Sequence, residues 1–91
     1  MMNQNVVVRA LKEMGYTIKD IVRVVADKNP LKIKIYLRGG KGCLFIEGWT
    51  TEVRRKRQKD GTYSFFRMEL EEPRYRVRLN AGRWWPVPDA E

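Results

Sequence analysis

Leu31-Lys32-Ile33-Lys34-Ile35-Tyr36-Leu37-Arg38 is the stretch that decides how the rest of this chain is read. Leu31, Ile33, Ile35 and Leu37 alternate with Lys32, Lys34, Tyr36 and Arg38, a period of two that puts apolar groups on one side of an extended chain and polar groups on the other. The pattern predicts a half-buried strand. Gly39-Gly40-Lys41-Gly42 follows as a flexible turn. A second strand is expected from Cys43 to about Arg57, with Gly48 marking a bulge or bend. Asp60-Gly61 is a hairpin signal, because both residues tolerate positive φ. Further strands are expected over Thr62–Glu71 and Tyr75–Asn80. Ala81-Gly82 then allows one more turn before Arg83-Trp84-Trp85-Pro86-Val87, and the tail 88–91 is expected to fray.

Toward the N-terminus the period changes. Val7, Ala10, Leu11 and Met14 share one helical face over residues 5–14, and Gly15 supplies a left-handed stop. Thr17 and Asp20 form an approximate capping box, after which Ile18, Ile21, Val22 and Val25 repeat the helical spacing as far as Asn29-Pro30. The helical part is therefore expected over 5–28. The same residues carry a rival reading: Ile21, Val22, Val24 and Val25 are β-branched and suit a strand, with Asp27-Lys28-Asn29-Pro30 turning residues 21–26 back against 31–37. The fold class that results is α+β: an N-terminal helix or helical hairpin, then an antiparallel sheet of four to five strands over 31–87 with a long basic β-hairpin. All 91 residues are expected to form a single domain.

Two registers follow from the turns. A two-residue loop at Asp60-Gly61 sets Val53 against Met68, Thr51 against Leu70 and Arg55 against Phe66. It also sets Arg54 against Arg67 and Glu52 against Glu69, like-charge pairs that oppose it. A three-residue loop sets Val53 against Arg67 and so wastes the apolar match. The apolar match favours the first. A further hairpin around Glu72-Pro73 pairs Glu69 with Arg76 and Glu71 with Arg74, and the last turn puts Trp84 opposite Leu79 and Trp85 opposite Arg78.

The charge is unevenly spread. The net formal charge is +8, from 19 Lys and Arg against 11 Asp and Glu. Residues 31 to 60 hold nine basic and three acidic side chains, whereas residues 61 to 91 hold five of each. Most of the excess lies in Arg54-Arg55-Lys56-Arg57-Gln58-Lys59, and a concentrated excess reads as a footprint for an acidic partner. A cationic two-stranded ribbon can enter a nucleic-acid groove or clamp a backbone, and the nearby Tyr63 and Phe65 could stack on bases. The outward side of the sheet adds Lys32, Lys34, Arg38 and Arg78, interleaved with Tyr36 and Trp85. The candidate binding residues are these six with Arg54, Arg55, Lys56, Arg57, Lys59, Tyr63 and Phe65.

Residues Val7 to Ala26 also resemble the helix-turn-helix DNA-binding motif. Ala10, Met14, Gly15, Tyr16, Ile21 and Val24 stand where that motif has apolar residues and its turn glycine. Leu11 departs from it where the two helices touch, Ile18 is apolar at the start of the second helix, and the chain before Val7 is expected to be too short for a supporting helix. The resemblance implies a recognition helix presenting Lys19 and Arg23 to duplex DNA.

Catalysis finds little support. The chain has no histidine, which removes the commonest general base and metal ligand, and its one cysteine, Cys43, has no partner for a disulfide. Gly39-Gly40-Lys41-Gly42 lacks the rest of a phosphate-binding loop. Glu47, Glu52, Glu69, Glu71 and Glu72 have arginine neighbours and read as ion-pair partners. No cofactor, metal or membrane span is expected, and a soluble cytoplasmic protein is the expectation. The function expected is a small, non-catalytic nucleic-acid-binding protein. The alternative is an inhibitor or adaptor module that docks on an acidic surface of a larger protein. An open sheet edge would also permit a homodimer.

Overall fold

The computed structural model describes residues 4–89. One helix, α1 (Gln4–Glu13), precedes an antiparallel sheet of five strands in simple sequential order: β1 (Ile21–Ala26), β2 (Lys32–Leu37), β3 (Gly42–Arg57), β4 (Tyr63–Leu79) and β5 (Trp85–Pro86). The architecture is α+β, with a long hairpin formed by β3 and β4.

Helix α1 ends where the sequence says it must. Gly15 has φ +84°, and the Tyr16 amide reaches back to the Leu11 carbonyl at 2.8 Å while the Gly15 amide reaches Lys12 at 3.1 Å. These are the two bonds of a Schellman stop, which satisfies carbonyls the helix would otherwise leave bare. Val6, Ala10 and Leu11 on its inner face meet Ile35, Leu37, Leu44, Ile46, Val77 and Val87 in one core cluster. Val7 and Met14 pack at its margin.

No second helix follows, which corrects the helical part expected over 5–28. The Asp20 carboxylate does accept the Thr17 amide, at 3.0 Å, but it closes only a 3-10 turn over Ile18–Asp20. The chain then extends into β1 because Ile21, Val22, Val24 and Val25 have χ1 angles that a strand accommodates and a helix restricts. Asp27 and Asn29 hold the next turn, their side-chain oxygens accepting the amides two residues on at 3.0 and 2.9 Å. The hairpin alternative, with 21–26 against 32–37, is the one realised. Without a second helix, the helix-turn-helix resemblance does not extend into three dimensions.

The tip of the long hairpin also differs from expectation. Arg57 pairs with Tyr63, Val53 with Arg67 and Arg54 with Phe66. The loop has three residues, Lys59-Asp60-Gly61, closed by the Gln58 amide on the Thr62 carbonyl at 2.7 Å. Gly61, at φ +87°, takes the left-handed position that a three-residue loop needs. This register removes the Arg54/Arg67 and Glu52/Glu69 clashes, so charge outweighs the apolar match that favoured the other.

Strand β4 runs straight through Pro73, and the hairpin expected at Glu72-Pro73 does not exist. Between Thr51↔Glu69 and Trp49↔Arg74 the single residue Thr50 faces Leu70-Glu71-Glu72-Pro73, an irregularity that absorbs the proline. Here β4 has no partner on its other edge, so the missing N–H of Pro73 breaks no ladder bond. Gly48, by contrast, is not a bulge. It pairs with Tyr75, and a Cβ there would lie 2.6 Å from the Tyr75 ring.

β5 pairs Trp85 with Val77 and Pro86 with Arg76, one residue out of the expected register. Val87 is buried, and the Pro88 carbonyl accepts a hydrogen bond from Arg9 at 2.9 Å, so the expected fraying does not hold at its first position. Residues 90 and 91 lie outside the described residues.

Candidate functional site

After Gly48, β3 pairs only with β4, and before Tyr75 β4 pairs only with β3. The paired segments 51–57 and 63–69 therefore leave the body as a bare two-stranded arm. The principal extents are 57 × 28 × 24 Å and the radius of gyration is 16.2 Å, against about 12 Å for a compact chain of this length. Direct cross-strand partners share a face. One face of the arm carries Val53, Arg55, Arg57, Tyr63, Phe65 and Arg67; the other carries Arg54, Lys56, Ser64, Phe66 and Met68. Both are open to solvent: Phe65 is 71% exposed, Val53 67%, Phe66 47% and Tyr63 45%.

Arg55, Lys56, Arg57 and Lys59 make no ion pair among the described residues. The Arg55 guanidinium lies over the Tyr63 ring, 4.5 Å from its centroid. At the tip, Asp60 accepts from the Thr62 amide and hydroxyl at 3.0 and 2.6 Å, and these bonds lower its pKa. Asp60 is thus a turn-former and not a counter-ion for the arm.

Arg54 behaves differently from its neighbours. It pairs with Glu52 at the root of the arm, where the same carboxylate accepts from Trp49 Nε1 at 3.1 Å and Arg74 Nη1 at 3.1 Å. The Trp49 indole first, then the two arginines, hold the Glu52 pKa below the usual carboxylate value. Arg54 is thus ion-paired, unlike its neighbours, with its side chain 42% exposed. Arg74 and Arg76 are ion-paired as expected, but with Glu52 and Glu47, the latter at 2.7 Å, and not with Glu71 and Glu69.

The second cluster lies on the side of the sheet opposite α1. Lys34 on β2, Phe45 on β3 and Arg78 on β4 are direct cross-strand neighbours. Lys34 Nζ is 5.4 Å and Arg78 Cζ 5.2 Å from the centre of the Phe45 ring. The row continues both ways. Lys34 is 4.8 Å from Tyr36, which Arg23 approaches from β1 at 5.7 Å, and Arg78 is 4.6 Å from Trp84. Rings and cations thus alternate across the sheet. Hydrogen bonding with Tyr36 raises the Lys34 pKa above the ordinary lysine value. Arg23, Lys34 and Arg78 have no carboxylate partner among the described residues, and Arg78 Nε is buried without an acceptor.

The remaining expected residues fall outside this row or at its border. Lys32 pairs with Glu47 at 4.0 Å. Arg38 lies in a 3-10 turn and donates to the Lys19 carbonyl at 3.3 Å. Trp85 faces the side that carries Val77, under Arg83 at 4.1 Å. Three members of the row were not anticipated. Phe45 was legible in the alternation Phe45, Glu47, Trp49; Trp84 was hidden by a one-residue register difference, and Arg23 by the helical reading of β1.

No protein-family profile, curated protein or solved structure matches this chain.

Among the described residues, no helix is long and apolar enough to cross a membrane, and no group of three His, Cys, Asp or Glu could hold a metal ion.

Proposed function

We propose that this protein is a small, non-catalytic nucleic-acid-binding protein, using the hairpin arm and the ring-and-cation face of the sheet. The observation that carries the reading is the arm. Its unpaired cations Arg55, Lys56, Arg57, Lys59 and Arg67 are interleaved with exposed rings on an element that lies outside the core cluster. A cation unpaired at neutral pH is available to a phosphate, and a guanidinium over the Tyr63 ring can still offer N–H groups to two phosphate oxygens. A role inside the cytoplasm fits this reading.

Anisotropy of labelled single-stranded and duplex DNA and RNA, titrated with the full chain at two salt concentrations, tests it. Binding that weakens steeply with salt is expected, with log K falling linearly in log salt. No binding to any of the four probes at low salt would sink the proposal.

One observation favours a second reading. Val53, Phe65, Phe66 and Met68 expose apolar surface on both faces of the arm, and interface hot spots combine apolar anchors with arginine. The arm of an inhibitor or adaptor docking on an acidic protein surface would look similar. Its binding would vary less with salt, because buried anchors and not released counter-ions would supply most of the affinity.

A further inference from the structure

Resting on the nucleic-acid reading above, we infer that the sheet face takes a single strand, with an unpaired base stacked on Phe45 and its flanking phosphates on Lys34 and Arg78. Three observations converge on this site.

First, the trio is a direct cross-strand row, with a cation on each side of one ring. Strands are spaced by about 4.8 Å, so Lys34 and Arg78 lie one strand away on either side of Phe45. That order, cation–ring–cation, matches phosphate–base–phosphate along a polynucleotide. Tyr36 and Trp84 continue it outward for the neighbouring nucleotides.

Second, the cations are unsaturated. Neither Lys34 nor Arg78 has a carboxylate partner among the described residues. A shallow groove of about 370 Å³ opens here, bordered by Lys34, Phe45, Arg78 and Val25. The carboxylates at its rim are already engaged: Glu47 with Arg76 and Lys32, Asp27 with the amide of Asn29.

Third, the rings stand on a sheet and not on a protruding finger. Bases in a duplex are stacked on each other and present only edges in the grooves, so a ring on a broad sheet face meets a duplex at its phosphates alone. Besides holding the cations, these rings can stack on bases that are free of a duplex.

The test compares oligothymidylate, oligouridylate, a mixed-sequence duplex and an abasic oligonucleotide of equal length, all against the full chain. Single strands should bind at least about tenfold tighter than the duplex, DNA and RNA being separated by the first two probes. Phe45→Leu should weaken single-strand binding about fivefold or more, the value of one stacked base. It should leave duplex and abasic affinities and the melting temperature unchanged. Phe45→Tyr, which keeps the ring, should restore binding and so separates stacking from a disturbed fold. Duplex binding equal to or tighter than single-strand binding overturns the inference, as does a Phe45→Leu loss equal on all probes. Either result leaves the general nucleic-acid reading intact, whereas absence of binding to every probe removes both.

Discussion

At the residue scale, Glu52 shows how one carboxylate sets what its neighbours can do. It takes three donors, from Trp49, Arg54 and Arg74, and so offsets the charge of two of the chain's arginines. Its folded pKa lies below the ordinary 4.5. The stabilisation it gives is therefore full above 4.5 and is lost as pH falls through the folded value. Glu52→Gln should lower the melting temperature at neutral pH, and the gap from the parent protein should close on acidification. A gap that stays constant from pH 7 to pH 3 would show that the charge at Glu52 contributes nothing. Gly48 makes a different kind of point. A methyl at this position would press into the Tyr75 ring at 2.6 Å, so Gly48→Ala should destabilise by about 1–3 kcal/mol, read from denaturant melts. The sequence marks Gly48 as special; that the reason is an overlying ring and not a bulge depends on its cross-strand partner, which pairing alone reveals.

At the element scale, what was legible depended on whether a pattern had a rival. The strand at 32–37 had none, because strict alternation of Lys with Ile excludes a helical face. The segment 21–26 had two readings, and its capping signal at Thr17 and Asp20 pointed to the wrong one: the cap is real but closes a single turn before β-branched residues extend the chain. The hairpin turn at Asp60-Gly61 was legible, while its register depended on whether Gly61 served a two- or three-residue loop. Pro73 looked like a turn and proved to lie in a continuous strand with a free edge, a fact about neighbours and not about Pro73 itself. The arm that results contributes no side chain to the core. Replacing residues 52–68 by a short turn should leave the remaining helix and sheet folded with cooperative melting, while removing most nucleic-acid binding. Loss of the cooperative transition would show that the arm is needed to hold the body together. Ile46→Ala, by contrast, opens a cavity under α1 and should destabilise by about 2–5 kcal/mol, measured by the same melts.

At the scale of the whole molecule, the net charge of +8 divides into cations the protein uses itself and cations it leaves open. Lys32, Lys41, Arg54, Arg74 and Arg76 are bound to its own carboxylates. Arg55, Lys56, Arg57 and Lys59 on the arm, and Arg23, Lys34 and Arg78 on the sheet, are not. The concentration of charge in the middle third was visible in the sequence. Its division into arm and face was not, because Arg23, Phe45 and Trp84 come together only through pairing of strands distant in the chain. These seven open cations of the arm and the sheet face lie on two surfaces of an elongated molecule, an arrangement suited to a ligand that is itself long and charged. The most direct measurement is the slope of log K against log salt for a single-stranded oligonucleotide. It should be taken with the parent protein and with a variant in which Arg55, Lys56, Arg57 and Lys59 are replaced by Ala. The variant's slope should be shallower by about 0.7 for each phosphate that the arm no longer neutralises, with an unchanged melting temperature. Identical slopes for the two proteins would contradict the arm as the element that engages phosphate.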